Sequence, residues 1–93
     1  MCNKYERFRT LIGRKVVLDT DSQQLYIGHL ASVDNEFLDL VEADVHDVQS
    51  TNTTRDMYII NTAKFGIKKN RERVLVMTVR VVSVSLLEEI TLY

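Results

Sequence analysis

The sequence predicts a mostly β domain in which one short helix precedes five strands and a second short helix is inserted before the fourth. Three observations carry that expectation. Lys15–Thr20, Gln24–Val33 and Phe37–Val48 carry the patterning of strands, apolar residues in short runs or in alternation between polar breaks. Tyr5, Phe8, Leu11 and Ile12 instead follow the i, i+3, i+6, i+7 spacing of a helix with one buried stripe. The valine-rich run Val74–Leu87 is too long for one ordinary strand of about 5–6 residues, so it holds two, with Arg80 marking the bend between them.

Each element has a local reason. Residues 4–12 form the first helix, and Gly13 fits its C-cap. Asp19-Thr20-Asp21-Ser22 is a polar turn that makes Lys15–Thr20 and Gln24–Val33 a hairpin. Gly28 interrupts the second of these strands, and a glycine there marks a bulge or bend where another backbone comes close. Asp34-Asn35 supplies turn chemistry that ends the run.

In the third strand Phe37, Val41, Ala43 and Val45 alternate with Leu38, Leu40, Glu42 and Asp44. Both faces are partly apolar, which suggests a strand covered by its own core on one side and by a neighbouring subunit on the other. Residues 49–54 are a polar break. Thr53-Thr54-Arg55-Asp56 resembles a capping box ahead of Met57, Ile60, Ala63 and Lys64, with Gly66 as the stop, and predicts a helix over 55–65. A strand through Met57–Thr62 is the alternative, because Tyr58-Ile59-Ile60 is rich in strand formers. Ile67–Arg73 reads as a basic connector and Glu88–Tyr93 as a short tail.

At 93 residues the chain makes one domain, 1–93, a little below the roughly 100–150 residues typical of a single core. The lone Cys2 excludes an intramolecular disulfide, and no Cys/His spacing suggests a structural metal. Stability must then come from apolar packing or from an oligomer. The N-terminal residues have no apolar core of signal-peptide length and no stretch approaches membrane-spanning length, so the expectation is a cytoplasmic protein with no membrane partner.

A net charge of −1 argues against an indiscriminate polyanion binder, yet the charge is uneven. Asp34 to Asp47 contains six acids and no base, whereas Lys64 to Arg73 contains five bases and one acid. A second basic group, Lys4, Arg7, Arg9, Arg14 and Lys15, lies at the N-terminus.

Tyr26-Ile27-Gly28-His29-Leu30-Ala31-Ser32-Val33-Asp34 resembles the first motif of the Sm and Sm-like (Lsm) family. The likeness extends without gaps: Leu11-Ile12-Gly13 would end the helix, Val16 and Leu18 would lie on the first strand, and Gly13 and Gly28 keep the family's separation. Phe37 stands where the family has a large apolar residue and Val41 where it has a leucine. The fold motif is then Gly13, Tyr26, Gly28, Leu30, Asp34 and Phe37. The resemblance implies a strongly bent, five-stranded antiparallel open barrel of the SH3-like kind. It also implies self-assembly into a closed ring of about five to seven subunits, the fourth strand of one pairing with the fifth of the next. Val79, Val81 and Val84 are the expected contact residues, and long apolar edge strands suit that role.

The family's base pocket is built from a planar side chain two residues after the motif aspartate, an asparagine two positions later and an arginine of the second motif. Here those positions hold Glu36, Leu38 and, if Val76-Met77-Thr78 with Val81 and Val84 is the second motif, Met77. A carboxylate repels phosphate, and leucine offers no hydrogen bond to a base edge. A one-residue slip would bring Phe37 and Asp39 to the first two positions, and the register Val79-Arg80-Val81 would keep an arginine; each breaks the ungapped match.

RNA would then be held on basic surfaces, at Lys4, Arg7, Lys64, Lys68, Lys69, Arg71 and Arg73, with Tyr5, Phe8 and Phe65 among the charges as candidate stacking groups; against this, Phe8 belongs to the buried stripe of the helix and surface lysines commonly serve only solubility. The reading from sequence is a ring-forming protein that binds single-stranded RNA or scaffolds RNA–protein complexes. The alternative is a structural or protein-interaction ring without nucleic acid. No catalytic constellation is expected: His29 and His46 have no readable nucleophile partner. Asp39, Glu42, Asp44 and Asp47 match no calcium loop, and neither a metal nor a cofactor is expected.

Overall fold

The computed structural model describes residues 4–49 and 54–91, with only the backbone of Lys4; Cys2 lies outside the described residues. The chain runs through helix α1 (Lys4–Arg9), strands β1 (Lys15–Thr20), β2 (Gln24–Val33) and β3 (Phe37–Asp47), helix α2 (Arg55–Phe65), strand β4 (Arg71–Met77), a 3₁₀ turn at Thr78–Arg80, strand β5 (Val81–Leu86) and a second 3₁₀ turn at Leu87–Glu89. All five strands join one antiparallel sheet in the order β4-β3-β2-β1-β5. This is the expected bent open barrel, with its N-terminal helix and a second helix before β4. Among the described residues β4 and β5 do not pair with each other, so each leaves one edge without a partner.

The bend comes from register changes in β2 and β3. Ile27 faces Asp44 and His29 faces Val41, so Gly28 alone stands opposite two residues, Glu42 and Ala43. Glu42 takes the left-handed backbone conformation, with φ of 50°, as a bulged residue can. On the other strand, Leu30 faces Leu40 and Ser32 faces Asp39, leaving Ala31 as a second extra residue that restores the first register. Gly28 sits so close to β3 that an added Cβ would lie 3.1 Å from Cα and Cβ of Ala43 and 3.2 Å from the Val41 carbonyl oxygen.

The bulge corrects the expected faces of β3. Leu38 and Leu40 pack into the inner core together with Ala43, not with Glu42 and Asp44, because the bulge reverses the alternation after Val41. The two apolar faces of β3 therefore do not by themselves call for a neighbouring subunit.

Two cores lie on opposite faces of the sheet. Inside the barrel Val16, Leu18, Leu30, Leu38, Leu40 and Val76 pack with Phe8 of α1. Behind it Val17, Leu25 and Ile27 pack with Ile59 of α2 and Leu87. The unbroken apolar run Val16-Val17-Leu18 is thus explained by burial on both sides.

α2 matches its expected bounds. Thr54 accepts a hydrogen bond from the Met57 N–H at 3.1 Å, and Gly66, at φ of 96°, ends the helix. The buried side of the helix carries Ile59 and Thr62, with Tyr58 and Ala63 against the same core, whereas Met57 is exposed.

Other boundaries moved. α1 stops at Arg9, and Leu11 and Ile12 continue in tight turns to the carbonyls of Phe8 and Arg9. Gly13, at φ of 91°, donates to the Leu30 carbonyl at 2.7 Å and so opens the β1–β2 ladder instead of capping α1. β4 begins at Arg71, which makes the second half of the basic connector strand. The bend between β4 and β5 is the turn Thr78–Arg80, ending at the expected Arg80. Leu87 belongs to the closing 3₁₀ turn, where it covers the back of the sheet.

Candidate nucleic-acid interface

Asp34 organises the tip between β2 and β3. Its Oδ1 accepts the N–H groups of Glu36 and Phe37, each at 2.8 Å, and its own N–H donates to the Phe37 carbonyl at 2.9 Å. These bonds, first from Phe37 and then from Glu36, hold its carboxyl below the ordinary carboxylate value, since backbone N–H groups favour the charged form. A depressed carboxyl contributes stability that is present above the ordinary value of 3.8 and is lost as pH falls through the folded-state value. Asp34→Ala is therefore expected to show a shallower fall in thermal midpoint than the parent protein below about pH 3.8. Parallel acid limbs, read by circular dichroism, would remove Asp34 from this role.

The 3₁₀ turn after β4 is fastened to this tip. Thr78, almost wholly buried, donates its N–H to the Glu36 carbonyl and its hydroxyl to the Asn35 carbonyl, both at 2.8 Å. Phe37 pairs with Met77 across β3 and β4, and Leu38 with Val76. The fold thus brings Glu36 and Met77, two of the three degenerate pocket positions, to one tip. Both are exposed, Met77 by half. Leu38, the third, is fully buried in the inner core. The tip presents a carboxylate and a thioether, and neither can stack on a base and donate to its edge as the pocket chemistry requires. Arg80, the arginine of the shifted register, pairs with Asp21 at 3.1 Å.

The acidic and basic runs meet as neighbours. β3 and β4 place Arg73 opposite Val41 and Arg71 opposite Ala43. Arg73 reaches diagonally to Asp39 with a two-pronged contact, Nε to Oδ1 at 2.9 Å and a terminal nitrogen to Oδ2 at 2.7 Å. This contact raises the Arg73 pKa further. Lys69 lies between Glu42 at 2.8 Å and Glu72 at 2.6 Å, and these carboxylates push its pKa up. Arg71 donates to the Asn70 carbonyl at 3.0 Å. In contrast, Arg7, Lys64 and Lys68 are exposed and make no ion pair among the described residues. Tyr5 lies under the Arg9 guanidinium, 5.7 Å from the ring centre, while Phe8 is buried.

A polar network not read from the sequence fixes α2 to the sheet. Asp44, almost fully buried, accepts from the Tyr58 hydroxyl and from the Asn70 side-chain amide, the latter at 3.2 Å. Burial raises the Tyr58 pKa, and Asp44 raises it further. Asn70 also exchanges two 3.0 Å bonds with the backbone of Val45, as a strand residue would. His46 stacks on Tyr58 with ring centres 3.6 Å apart. His29 has a buried Nδ1 without a hydrogen-bond partner among the described residues.

No protein-family model matches the sequence, and no curated protein does. Solved structures do match. One is a Pyrococcus abyssii Sm protein in complex with a uridine heptamer, with a TM-score of 0.60 and 10% identity, covering 91% of this chain and 99% of that one. Another is an Sm-like protein from Archaeoglobus fulgidus, with a TM-score of 0.60 and 12% identity, covering 92% and 96%. Among the described residues no helix is long and apolar enough to cross a membrane. With its five bent antiparallel strands, its N-terminal helix and this likeness over nearly the whole chain, the protein has an Sm-like fold.

Proposed function

We propose that the chain assembles into a ring of like subunits that binds single-stranded RNA, or scaffolds RNA–protein complexes, on exposed cations and not in a uridine pocket. The observation that carries this reading is the pair of unpartnered edges, β4 and β5, in a fold shared with a protein solved with a uridine heptamer. An open edge is a template for another chain, and Leu75 and Met77 on β4, with Val79 at the following turn, leave apolar surface uncovered beside it. Arg7, Lys64, Lys68 and Arg71 are the cations that support RNA contact, since none of them meets a carboxylate among the described residues whereas Lys69 and Arg73 do. Repeated around a ring, a few free cations per subunit add to a substantial potential even though each chain carries −1. Val81 and Val84 lean on the inner core, so the contact role is better supported for the exposed edge residues.

A second reading, a ring without nucleic acid, is favoured by that same neutralisation of Lys69 and Arg73. Anisotropy titration of labelled oligo-U, oligo-A and mixed single-stranded RNA at two salt concentrations separates the two, using protein whose mass is known from light scattering. The expected result is binding without uridine preference, with a log–log salt slope of about −0.7 for each phosphate contact. A marked uridine preference would mean that the tip at Glu36 and Met77 binds bases after all. No binding by a stable ring favours the second reading.

A further inference from the structure

We propose that the C-terminal end of α2 is a single-nucleotide site, on which a base of single-stranded nucleic acid stacks against Phe65 while its phosphate meets Lys68 and Lys64. The inference rests on the RNA-binding reading above and names the place where the contact is made. A cleft of about 220 Å³ opens there, lined by Tyr58, Asn61, Thr62, Phe65, Gly66 and Lys68. Its floor is rigid. Tyr58 is held between the ring of His46 and the carboxylate of Asp44, and Thr62 is buried with its hydroxyl bonded to the Tyr58 carbonyl at 2.9 Å.

The rim is open and polar around one aromatic ring. Phe65 is 77% exposed, although burying such a ring is among the larger favourable terms open to a small domain. Asn61 precedes it by four residues and so stands beside it on the same helix face. Among the described residues the Asn61 amide has no hydrogen-bond partner, and neither Lys64 nor Lys68 has a carboxylate partner. Gly66 leaves the helix at φ of 96°, and an added Cβ would meet nothing within 4 Å, so the cleft stays open on that side. A stacking face, an unused amide and the ammonium group of Lys68, with Lys64 next to Phe65 in the last turn of the helix, are together what a nucleotide needs: a π surface, an edge partner and countercharge.

A protein partner fits less well, because docking surfaces present contiguous apolar area. Phe65 is surrounded by polar side chains, and Met57, the other large exposed apolar residue of α2, lies at the opposite end of the helix.

The chain contains no tryptophan, so Phe65→Trp puts a sole tryptophan in the site, excited selectively at wavelengths beyond tyrosine absorption, and keeps a stacking surface. Its emission is expected to be quenched by unlabelled single-stranded RNA, saturating at the concentrations at which labelled RNA gains anisotropy. Phe65→Ala is expected to weaken binding roughly 5- to 150-fold, the usual range for losing one stacked base, while Phe65→Trp binds like the parent. Since the ring is exposed, both variants should fold, with circular dichroism as the check. If the parent protein binds RNA and Phe65→Ala binds equally well, the site is overturned while the RNA reading stands. If the parent binds no RNA, both fall. Tryptophan emission that responds to protein concentration and not to RNA would also overturn the site, assigning the cleft to a protein contact.

Discussion

Gly28→Val is expected to lower the thermal midpoint by roughly 10–20 °C, from about 2–3 kcal/mol of lost stability in a domain of this size. The cause is the approach of β3. A Cβ at residue 28 meets Cα and Cβ of Ala43 at 3.1 Å and the Val41 carbonyl oxygen at 3.2 Å. These contacts are backbone or a short, fully buried side chain, so little can swing aside. Relief would require separating β2 from β3 where Glu42 bulges, between the two cores. Ala31→Val is the control, because Ala31 is the exposed extra residue of the second bulge, and surface changes of that kind usually stay within about 0.5 kcal/mol. The measurement is thermal unfolding of both variants and the parent by circular dichroism. Equal midpoints for Gly28→Val and the parent would mean that the strands are not held at this separation.

Gly28 also shows what could be read before the structure. A glycine in an alternating run signals a bulge or a close approach, and both are there. Which strand carried the extra residue was not legible, because the bulged residue is Glu42 and not glycine. Nothing in Val41-Glu42-Ala43 announces a backbone turned to positive φ. The alternation of β3 therefore ran on unbroken in the sequence, and its later residues fell on the wrong faces.

The bounds of α2 were legible because Thr54 and Gly66 are punctuation with a mechanism, a side-chain acceptor at one end and a left-handed exit at the other. Its packing face was harder. With Ile59 and Thr62 as its buried residues, the helix has no strong apolar stripe, and what it covers is decided by the apolar back of β1 and β2. Leu25 and Ile27 carried that signal, since their strand is buried on both faces.

The site was least legible where it depends on pairing between distant segments. The six acids of 34–47 and the bases of 64–73 looked like two opposed patches. Register places them side by side, so Arg73 meets Asp39 and Lys69 meets Glu42. Asn70 looked like a loop residue, yet it bonds the Val45 backbone and helps satisfy buried Asp44. Such partners are invisible until the β3–β4 register is known. Exposure was legible only in part: Phe8 is buried on the apolar stripe its spacing predicted, whereas nothing in the sequence announced that Phe65 stays exposed.

If the chain assembles through β4 and β5 as proposed, Leu75→Lys combined with Val82→Lys is expected to convert that ring to monomers, a several-fold fall in mass by light scattering. Leu75 lies on β4 and Val82 is the extra residue of β5, standing between the Val81–Thr20 and Ser83–Asp19 pairs. The two residues are 51% and 70% exposed and belong to neither core, so the subunit should keep its fold. Val81 and Val84 would be poorer choices, because both pack against the inner core and a lysine there would confuse unfolding with disassembly. Positive charges on both free edges repel whenever one subunit's β4 approaches another's β5, and lysine on an edge strand is a known barrier to further pairing. Salt supplies the internal check: if repulsion is the cause, high ionic strength should restore part of the larger species. An unchanged mass would remove these edges from the assembly. A parent protein that is itself monomeric at working concentration would remove the ring, and with it the summed potential on which RNA binding by so few free cations depends.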